Sequence, residues 1–304
     1  MKIVSLTPSA TEIVYALGLG DQLAAVTDEC DFPPEARTKP IVSRSALPAG
    51  RLLSAGAIDR AVRDRVDAGQ ALYTLDRDLI RRIQPDVILA QDLCRVCAVP
   101  SGDVEDALGQ LGVDAKVLSL DPKSLDDVVG TVEAAGKALD AEDRAADVAA
   151  AMREQIRRVQ RTALRLPSIR TLALEWTDPP FVGGHWIPDM VQIAGGTNLF
   201  SQKEQPSRRV TWREISDATP EVVVVMPCGY FLSEAEDEAA RLYGNPEFAT
   251  TPAALEGAVF AVDASSHFSR PGPRIVDGLD ILAWAIHPEA YPEPSPESIA
   301  RVER

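Results

Sequence analysis

The sequence has no apolar run approaching the roughly 20 consecutive residues that a membrane-spanning helix needs. Basic side chains are also scarce, since 31 Lys and Arg against 46 Asp and Glu leave a formal charge of −15. This charge disfavours nucleic acid or an anionic membrane as partner, because both are bound through basic surfaces. No nucleophile elbow, P-loop or HExxH helix occurs, so no motif indicates a catalytic activity.

Cysteine is limited to Cys30, Cys94, Cys97 and Cys228, too few for a disulfide framework in 304 residues. No secretory leader precedes the first apolar run, which begins at Ile3. Both observations predict a cytoplasmic protein. The alternative is a periplasmic or extracellular protein whose sequence has been trimmed.

A charged, alanine-rich stretch without Gly or Pro, 140–165, predicts one long helix near the middle of the chain. Asp140 is the expected N-cap and Pro167 the expected stop. The flanks of this helix resemble each other. Each has a short amphipathic helix, a Pro-acidic turn, a β-branched strand and a loop with cysteine, the strands being 87–90 and 222–225.

The predicted fold is therefore α/β, with two Rossmann-like lobes joined by one long rigid interlobe helix and a ligand cleft between the lobes. The predicted boundaries are 1–139 for the N-terminal lobe, 140–166 for the helix and 167–304 for the C-terminal lobe. In open α/β sheets, ligands gather outside the carboxyl ends of the strands. The loops that follow strands are therefore the expected binding region.

Six aromatic residues fall in those loops, although the chain is only 5% aromatic: Phe32, Trp176, Phe181, Trp186, Tyr230 and Phe268. One interpretation is that about half of them cap the core. The other is that they form apolar walls for a large flat ligand. Polar contacts to that ligand would come from Ser9, Glu29, Gln91, Asp92 and Arg270. Ser9 also has capping-box spacing with Glu12, so a helix cap is its plainer interpretation.

The four cysteines lie in three post-strand loops, and four thiolates could bind zinc or an iron–sulfur cluster. The alternative is that each is a small buried apolar side chain. His185 and His267 lie in loops of the same kind and could bind a cobalt or iron centre, or could simply form hydrogen bonds. His287 is expected at the surface.

Several loops resemble those of the cobalamin-binding substrate-binding proteins of ABC importers, a class that also binds haem and iron–siderophores. The resemblance runs along nearly the whole chain and is carried by 7–12 (TPSATE), 30–34 (CDFPP), 178–181 (DPPF), 207–212 (SRRVTW) and 268–274 (FSRPGPR). It implies two α/β lobes, a rigid connecting helix and a non-catalytic protein. The implied ligand is cobalamin, another corrinoid or a related metal complex, and the implied partner is an ABC permease.

The resemblance further implies that an acidic residue on each lobe docks the permease, for which Glu105 and Glu214 are the candidates. A second hypothesis is a cytoplasmic metal- or iron–sulfur-binding protein, or an enzyme, that uses the cysteines on the same fold. The missing leader and the cysteines favour this second hypothesis. The dispersed loop motifs favour the first.

Overall fold

The computed structural model of the chain describes residues 1–47, 54–93 and 101–304. It divides into two compact units. The N-terminal unit comprises Met1–Leu53, Arg60–Pro122 and Asp126–Ala151, and the C-terminal unit comprises Ser54–Asp59, Lys123–Leu125 and Met152–Arg304. Each unit contains one sheet with helices, so the predicted α/β fold with two sheet-containing lobes is confirmed.

The described residues of the first half supply six strands and six α-helices. The strands are β1 Ile3–Ser5, β2 Leu23–Thr27, β3 Ile41–Ser45, β4 Tyr73–Leu75, β5 Val87–Ala90 and β6 Lys116–Ser119. The helices are α1 Pro8–Ala16, α2 Ala55–Asp67, α3 Arg77–Ile83, α4 Ser101–Leu111, α5 Leu125–Ala138 and α6 Glu142–Ala163.

The six strands form one sheet in the order β4-β3-β2-β1-β5-β6. All neighbours are parallel except β3 and β4. The order reverses between β1 and β5, so the loops after these two strands lie side by side at the carboxyl edge. That position is where ligands bind in doubly wound sheets.

The second half supplies seven strands and six α-helices. The strands are β7 Ile169–Thr177, β8 Pro180–Val182, β9 Gly196–Asn198, β10 Arg208–Arg209, β11 Val222–Val225, β12 Val259–Val262 and β13 Ile299–Arg301. The helices are α7 Ile187–Ile193, α8 Trp212–Asp217, α9 Leu232–Leu242, α10 Pro252–Glu256, α11 Ala264–His267 and α12 Ile275–Ile286.

The C-terminal sheet runs in the order β10-β8-β7-β11-β12-β13, with β9 added beside β7. Strands β7, β11 and β12 are parallel and form its centre. Each of the four valines of β11 is buried, because helices cover both faces of a parallel sheet. Phe248 is fully buried beside this core and meets the rings of Trp212 and Tyr243 edge-on.

The long helix is shorter than predicted, since α6 spans Glu142–Ala163. Asp140 is not its N-cap. The Asp140 backbone has a φ of +53° and belongs to the turn that separates α5 from α6. Gly136 permits this tight turn, because a Cβ there would lie 2.2 Å from the Cβ of Ala145. The division between the two units falls inside α6, after Ala151.

Strand β7 continues into a hairpin with β8. The strands β7 and β8 pair antiparallel with Trp176 opposite Phe181. Pro179 lies in the turn of this hairpin and Pro180 is the first residue of β8, although proline removes a backbone donor and normally interrupts a strand. Within the described ranges, no helix combines the length and the apolar character needed to cross a bilayer.

Candidate functional site

At the carboxyl edge of the N-terminal sheet, Ser9 lies in helix α1, which follows β1, and Gln91 lies in the loop after β5. Both side chains are buried. Helix α1 begins two residues earlier than the predicted capping box, because Thr7 and not Ser9 is its N-cap and the Thr7 hydroxyl accepts from the Ala10 N–H. Ser9 therefore lies inside the helix, with its hydroxyl 2.9 Å from that of Thr7.

Cys30 is a buried thiol among hydroxyl groups. Its Sγ lies 3.1 Å from the Thr11 hydroxyl and 3.4 Å from the Thr27 hydroxyl. Neighbours of this kind are weak hydrogen-bonding partners and not metal ligands. The local arrangement therefore resembles a small buried side chain more than a cluster ligand.

Two residues next to Cys30 are exposed to solvent, unlike Cys30 itself. Glu29 is exposed, and its backbone N–H donates to the Thr27 hydroxyl. Phe32 is 41% exposed, which makes it one of the few large apolar side chains with substantial solvent contact among the described residues.

Asp92 already has local hydrogen-bonding partners. Its carboxylate accepts from the Ser101 backbone N–H at 2.7 Å and from the Ser119 hydroxyl at 2.9 Å. These bonds attach the start of α4 to the ends of β5 and β6. The geometry gives Asp92 a structural role at this edge.

The carboxyl edge of the C-terminal sheet gathers most of the predicted aromatic residues. The Trp176 and Tyr230 rings meet edge-on, with centroids 5.5 Å apart and planes at 75°. Phe181 lies opposite Trp176 on the neighbouring strand. The Cys228 backbone N–H donates to the Glu175 carbonyl at 3.1 Å, which joins the loops after β11 and β7. All four of the predicted residues named here are half-buried, so together they form a partly accessible apolar surface.

Trp186, Phe268 and Arg270 are all buried. The Trp186 indole N–H donates to the Phe268 carbonyl at 2.9 Å. The short helix α11 is fixed to the same region, since the Ser265 N–H donates to the Tyr230 carbonyl at 2.8 Å. Three loops that are distant in sequence are thus connected around one aromatic group.

His185 occupies an unusual backbone position at this edge. Its φ is +53°, a left-handed conformation that costs a residue other than glycine about 1 kcal/mol or more. Two backbone hydrogen bonds hold it there, from the His185 N–H to the Gln205 carbonyl and from the Glu204 N–H to the His185 carbonyl. Burial, and then the nearby Lys123, lower the pKa of the His185 imidazole. The ring is therefore neutral at pH 7 and half-buried.

The other two histidines are more enclosed. His267 Nδ1 is buried without a hydrogen-bonding partner in the described structure, and burial lowers the pKa of the ring. The prediction that His287 lies at the surface is wrong, since it is 9% exposed. Its ring packs against Gly195, where a Cβ would lie 2.8 Å from His287 Nε2. His185 is thus the more accessible imidazole at the carboxyl edge.

Glu175 is a functional candidate that the sequence reasoning missed. Its Oε2 accepts a hydrogen bond from the Ser207 hydroxyl at 2.8 Å. Protein atoms crowd the carboxyl group, and this burial raises its pKa. One signal was available, because a charged residue directly follows the apolar run of β7, which ends at Leu174.

The four-cysteine metal site is only partly visible. Cys94 and Cys97 lie outside the described residues. Among the residues that are described, no group of three or more His, Cys, Asp or Glu side chains is arranged to hold a metal ion. A zinc or iron–sulfur site therefore stays a prediction without structural support.

The two predicted docking residues differ in their surroundings. Glu105 is exposed on α4. Glu214 forms a capping box with Thr211 at the start of α8, and its Oε2 accepts from the Thr211 backbone N–H at 2.7 Å. These hydrogen bonds, followed by the Arg208 guanidinium, lower the pKa of the Glu214 carboxyl.

Comparison with known proteins gives a consistent result. A family profile described as "Periplasmic binding protein" matches residues 3–265. The uncharacterized ABC transporter substrate-binding lipoprotein YvrC of Bacillus subtilis is 23% identical over 298 residues, covering 96% of this chain and 82% of the relative. The vitamin B12-binding protein of Vibrio cholerae is 24% identical over 283 residues, covering 92% of this chain and 86% of the relative. The structure of a periplasmic heme binding protein from Pseudomonas aeruginosa matches with a TM-score of 0.73 at 20% identity, covering 98% of this chain and 96% of that protein.

The predicted cytoplasmic location is wrong. The matching family and the relatives are periplasmic binding proteins or lipoproteins of ABC importers, which points to a periplasmic or extracellular location. The prediction relied on the apolar run at the start of the given sequence and on the number of cysteines, and neither feature fixes where the folded protein works. Nothing supports the alternative of a cytoplasmic enzyme.

Proposed function

The chain belongs to the periplasmic binding protein family, and on that premise we propose that it binds a corrinoid or a related metal complex such as haem and delivers it to an ABC importer. The similarity to a vitamin B12-binding protein and to a heme binding protein supports this ligand class. Both ligands are large, flat metal macrocycles. They call for an extended apolar surface with a few polar groups at its edge.

The observation that carries the proposal is the aromatic surface of the C-terminal unit. Trp176 and Tyr230 fix each other edge-on, and Phe181 lies on the adjacent strand. Aromatic side chains offer a large contact area at a low cost in conformational entropy, since each has only two side-chain torsions. A preformed surface of this kind suits a rigid planar ligand.

The neutral imidazole of His185 is the candidate contact to the metal centre of that ligand. Metal coordination requires the unprotonated ring, and the lowered pKa keeps His185 in that form at pH 7. His267 is a weaker candidate, because its Nδ1 is enclosed. In the N-terminal unit, the exposed Phe32 and Glu29 are the candidate ligand contacts.

The proposed activity is binding without catalysis, with the transported ligand passing unchanged to a permease. Glu105 and Glu214 are the proposed docking residues on the permease side. Because Glu214 also caps α8, replacing it removes both a charge and a cap. Thr211→Ala is the appropriate control, because it weakens the cap and keeps the carboxylate.

The proposal is tested by titrating the purified chain with cyanocobalamin and, separately, with haemin. Binding is followed by quenching of tryptophan fluorescence and by changes in the ligand absorption spectrum. We expect saturable binding of one probe at a 1:1 ratio, with a Kd in the micromolar range or below. If neither cyanocobalamin nor haemin binds at about 100 µM, the proposal is ruled out, because this limit corresponds to only about 5.5 kcal/mol of binding free energy.

A further inference from the structure

Glu175 is a carboxylate at the end of an apolar strand, beside the aromatic surface just described. The residue keeps some solvent contact, but protein atoms surround its carboxyl group and raise its pKa. Enclosing a carboxylate is unfavourable unless hydrogen bonds compensate. Packing alone therefore does not explain a glutamate at this position.

Glu175 interacts with two separate loops. The Ser207 hydroxyl donates to Oε2 at 2.8 Å. The Gly184 backbone N–H, like the Ser207 hydroxyl, opposes the rise in the pKa of the same carboxyl group. Gly184 follows the β7–β8 hairpin, whereas Ser207 precedes β10. A hydrogen bond to this enclosed carboxyl group makes Glu175 a link between strand β7 and the loop that precedes β10.

The two loops also contact each other through their backbones. The His185 N–H donates to the Gln205 carbonyl at 2.7 Å. At Gly184 a Cβ would lie 2.4 Å from the Ser207 backbone nitrogen, so the chains approach as closely as glycine allows. The segment that carries His185 and Trp186 is consequently held on one side by the second loop and on the other by Glu175.

We propose that Glu175 is a positioning residue that sets the ligand affinity of the C-terminal aromatic surface by holding the segment 183–186 against the end of β7. The inference rests on the proposed function, since ligand affinity is its consequence. Glu175 acts through Gly184 and Ser207. Trp186 transmits the effect, because its indole is bonded to the Phe268 carbonyl in the third loop.

The test compares Glu175→Gln with Glu221→Gln in the full chain. Glutamine keeps the size of Glu175 but replaces one carboxyl oxygen with an amide nitrogen, which cannot accept a hydrogen bond. Glu221 is a matched control, because its Oε2 also accepts a backbone N–H, that of Arg170, at 2.9 Å. That bond lies at the opposite, amino-terminal end of strands β7 and β11. Two quantities are measured: affinity for the probe that the wild type binds, cyanocobalamin or haemin, and the indole N–H resonances of the four tryptophans.

We expect Glu175→Gln to weaken probe binding about tenfold, whereas Glu221→Gln changes it less than twofold. In the unliganded protein, Glu175→Gln should shift the Trp186 indole resonance. The Trp212 and Trp284 resonances should not move, because these rings pack against Phe248 and Phe260 away from the segment. Ser207→Ala, which removes the Ser207 hydrogen bond to Glu175, should give a smaller shift of the same resonance.

Unchanged affinity in Glu175→Gln would overturn the inference, and so would equal shifts of all four indole resonances, which would indicate general loosening. If Glu175→Gln does not fold, Ser207→Ala decides on the same two readouts. Absence of probe binding by the wild type would instead refute the proposed function. In that case the Trp186 resonance still decides whether Glu175 holds the segment.

Discussion

The Trp176 indole and the Tyr230 phenol ring contact each other edge-on, 5.5 Å between centroids, although 54 residues separate them in the sequence. Trp176 lies near the end of strand β7, and Tyr230 follows strand β11, its parallel neighbour in the sheet. The pair is therefore a direct product of sheet topology. Such a contact contributes about 0.5–1.5 kcal/mol beyond the apolar area that it buries.

Tyr230→Phe is expected to leave stability within about 0.5 kcal/mol of the wild type, because the ring contact remains. The Tyr230 hydroxyl is enclosed and has no hydrogen-bonding partner among the described residues, so its removal breaks no bond. Burial, followed by the charges of Glu238 and Glu234, raises the pKa of Tyr230 to about 12, so the phenol is neutral under ordinary conditions.

Tyr230→Ala serves as the contrast, since it removes the ring and should cost about 2 kcal/mol of unfolding free energy. Urea denaturation of the three proteins measures both values. A loss in Tyr230→Phe as large as in Tyr230→Ala would show that the hydroxyl, and not the ring, stabilises this edge.

Acidification should destabilise the C-terminal unit, because burial lowers the pKa of His185, His267 and His287. Each folded-state pKa lies below the unfolded value of about 6.5, so the unfolded chain binds protons first as the pH falls. The stabilisation from neutral imidazole is complete above pH ~6.5 and is lost below it. Thermal melts between pH 7.5 and 5 should show a falling Tm. His287→Gln should reduce the fall of the Tm with pH. If Tm falls as steeply in this variant as in the wild type, His287 does not contribute to the pH dependence of stability.

Gly184→Ala should destabilise the protein by about 1–3 kcal/mol, because the added methyl group would meet backbone atoms of Ser207 and Gln205 at 2.4 and 2.5 Å. Gly130→Ala is the matched control. Gly130 lies within helix α5, and a Cβ added there would meet no described neighbour outside its own helix within 4 Å. Alanine at that position should therefore stabilise by up to about 1 kcal/mol. Chemical denaturation distinguishes the two, and equal effects would contradict the close approach of the loops.

His185→Ala should alter the absorption spectrum of bound haemin and weaken its binding, because it removes the accessible neutral imidazole. His267→Gln is the control, since its Nδ1 is already enclosed in the protein. The Soret band of each complex reports the ligation of the iron. An identical spectrum for wild type and His185→Ala would exclude His185 as a metal contact.

The centre of each sheet was predictable, because short runs of β-branched residues bounded by turns form buried parallel strands. Strands Val87–Ala90 and Val222–Val225 have the predicted bounds. The termini of α6 were less predictable. Asp140 is of a residue type that often caps helices, but its backbone conformation is that of a turn. Local sequence does not separate these two roles.

The polar links of the candidate site could not be predicted in the same way. Glu175 and Ser207 are 32 residues apart, and no periodic pattern connects them. Likewise, the burial of Trp186 and the exposure of Phe32 depend on which face of a loop packs against the sheet. The sequence predicts which loops carry the candidate residues, and tertiary packing decides how deeply each of these residues is buried.

The most direct test of the central claim compares the ligand affinity of Trp176→Ala with that of Trp284→Ala. Both tryptophans are half-buried in the C-terminal unit and meet another ring edge-on. Trp284 belongs to helix α12, and its ring meets that of Phe260. Calorimetric titration with the probe that the wild type binds should show at least a tenfold loss of affinity for Trp176→Ala and less than a twofold change for Trp284→Ala. Equal affinities in the two variants would contradict a binding surface built on Trp176.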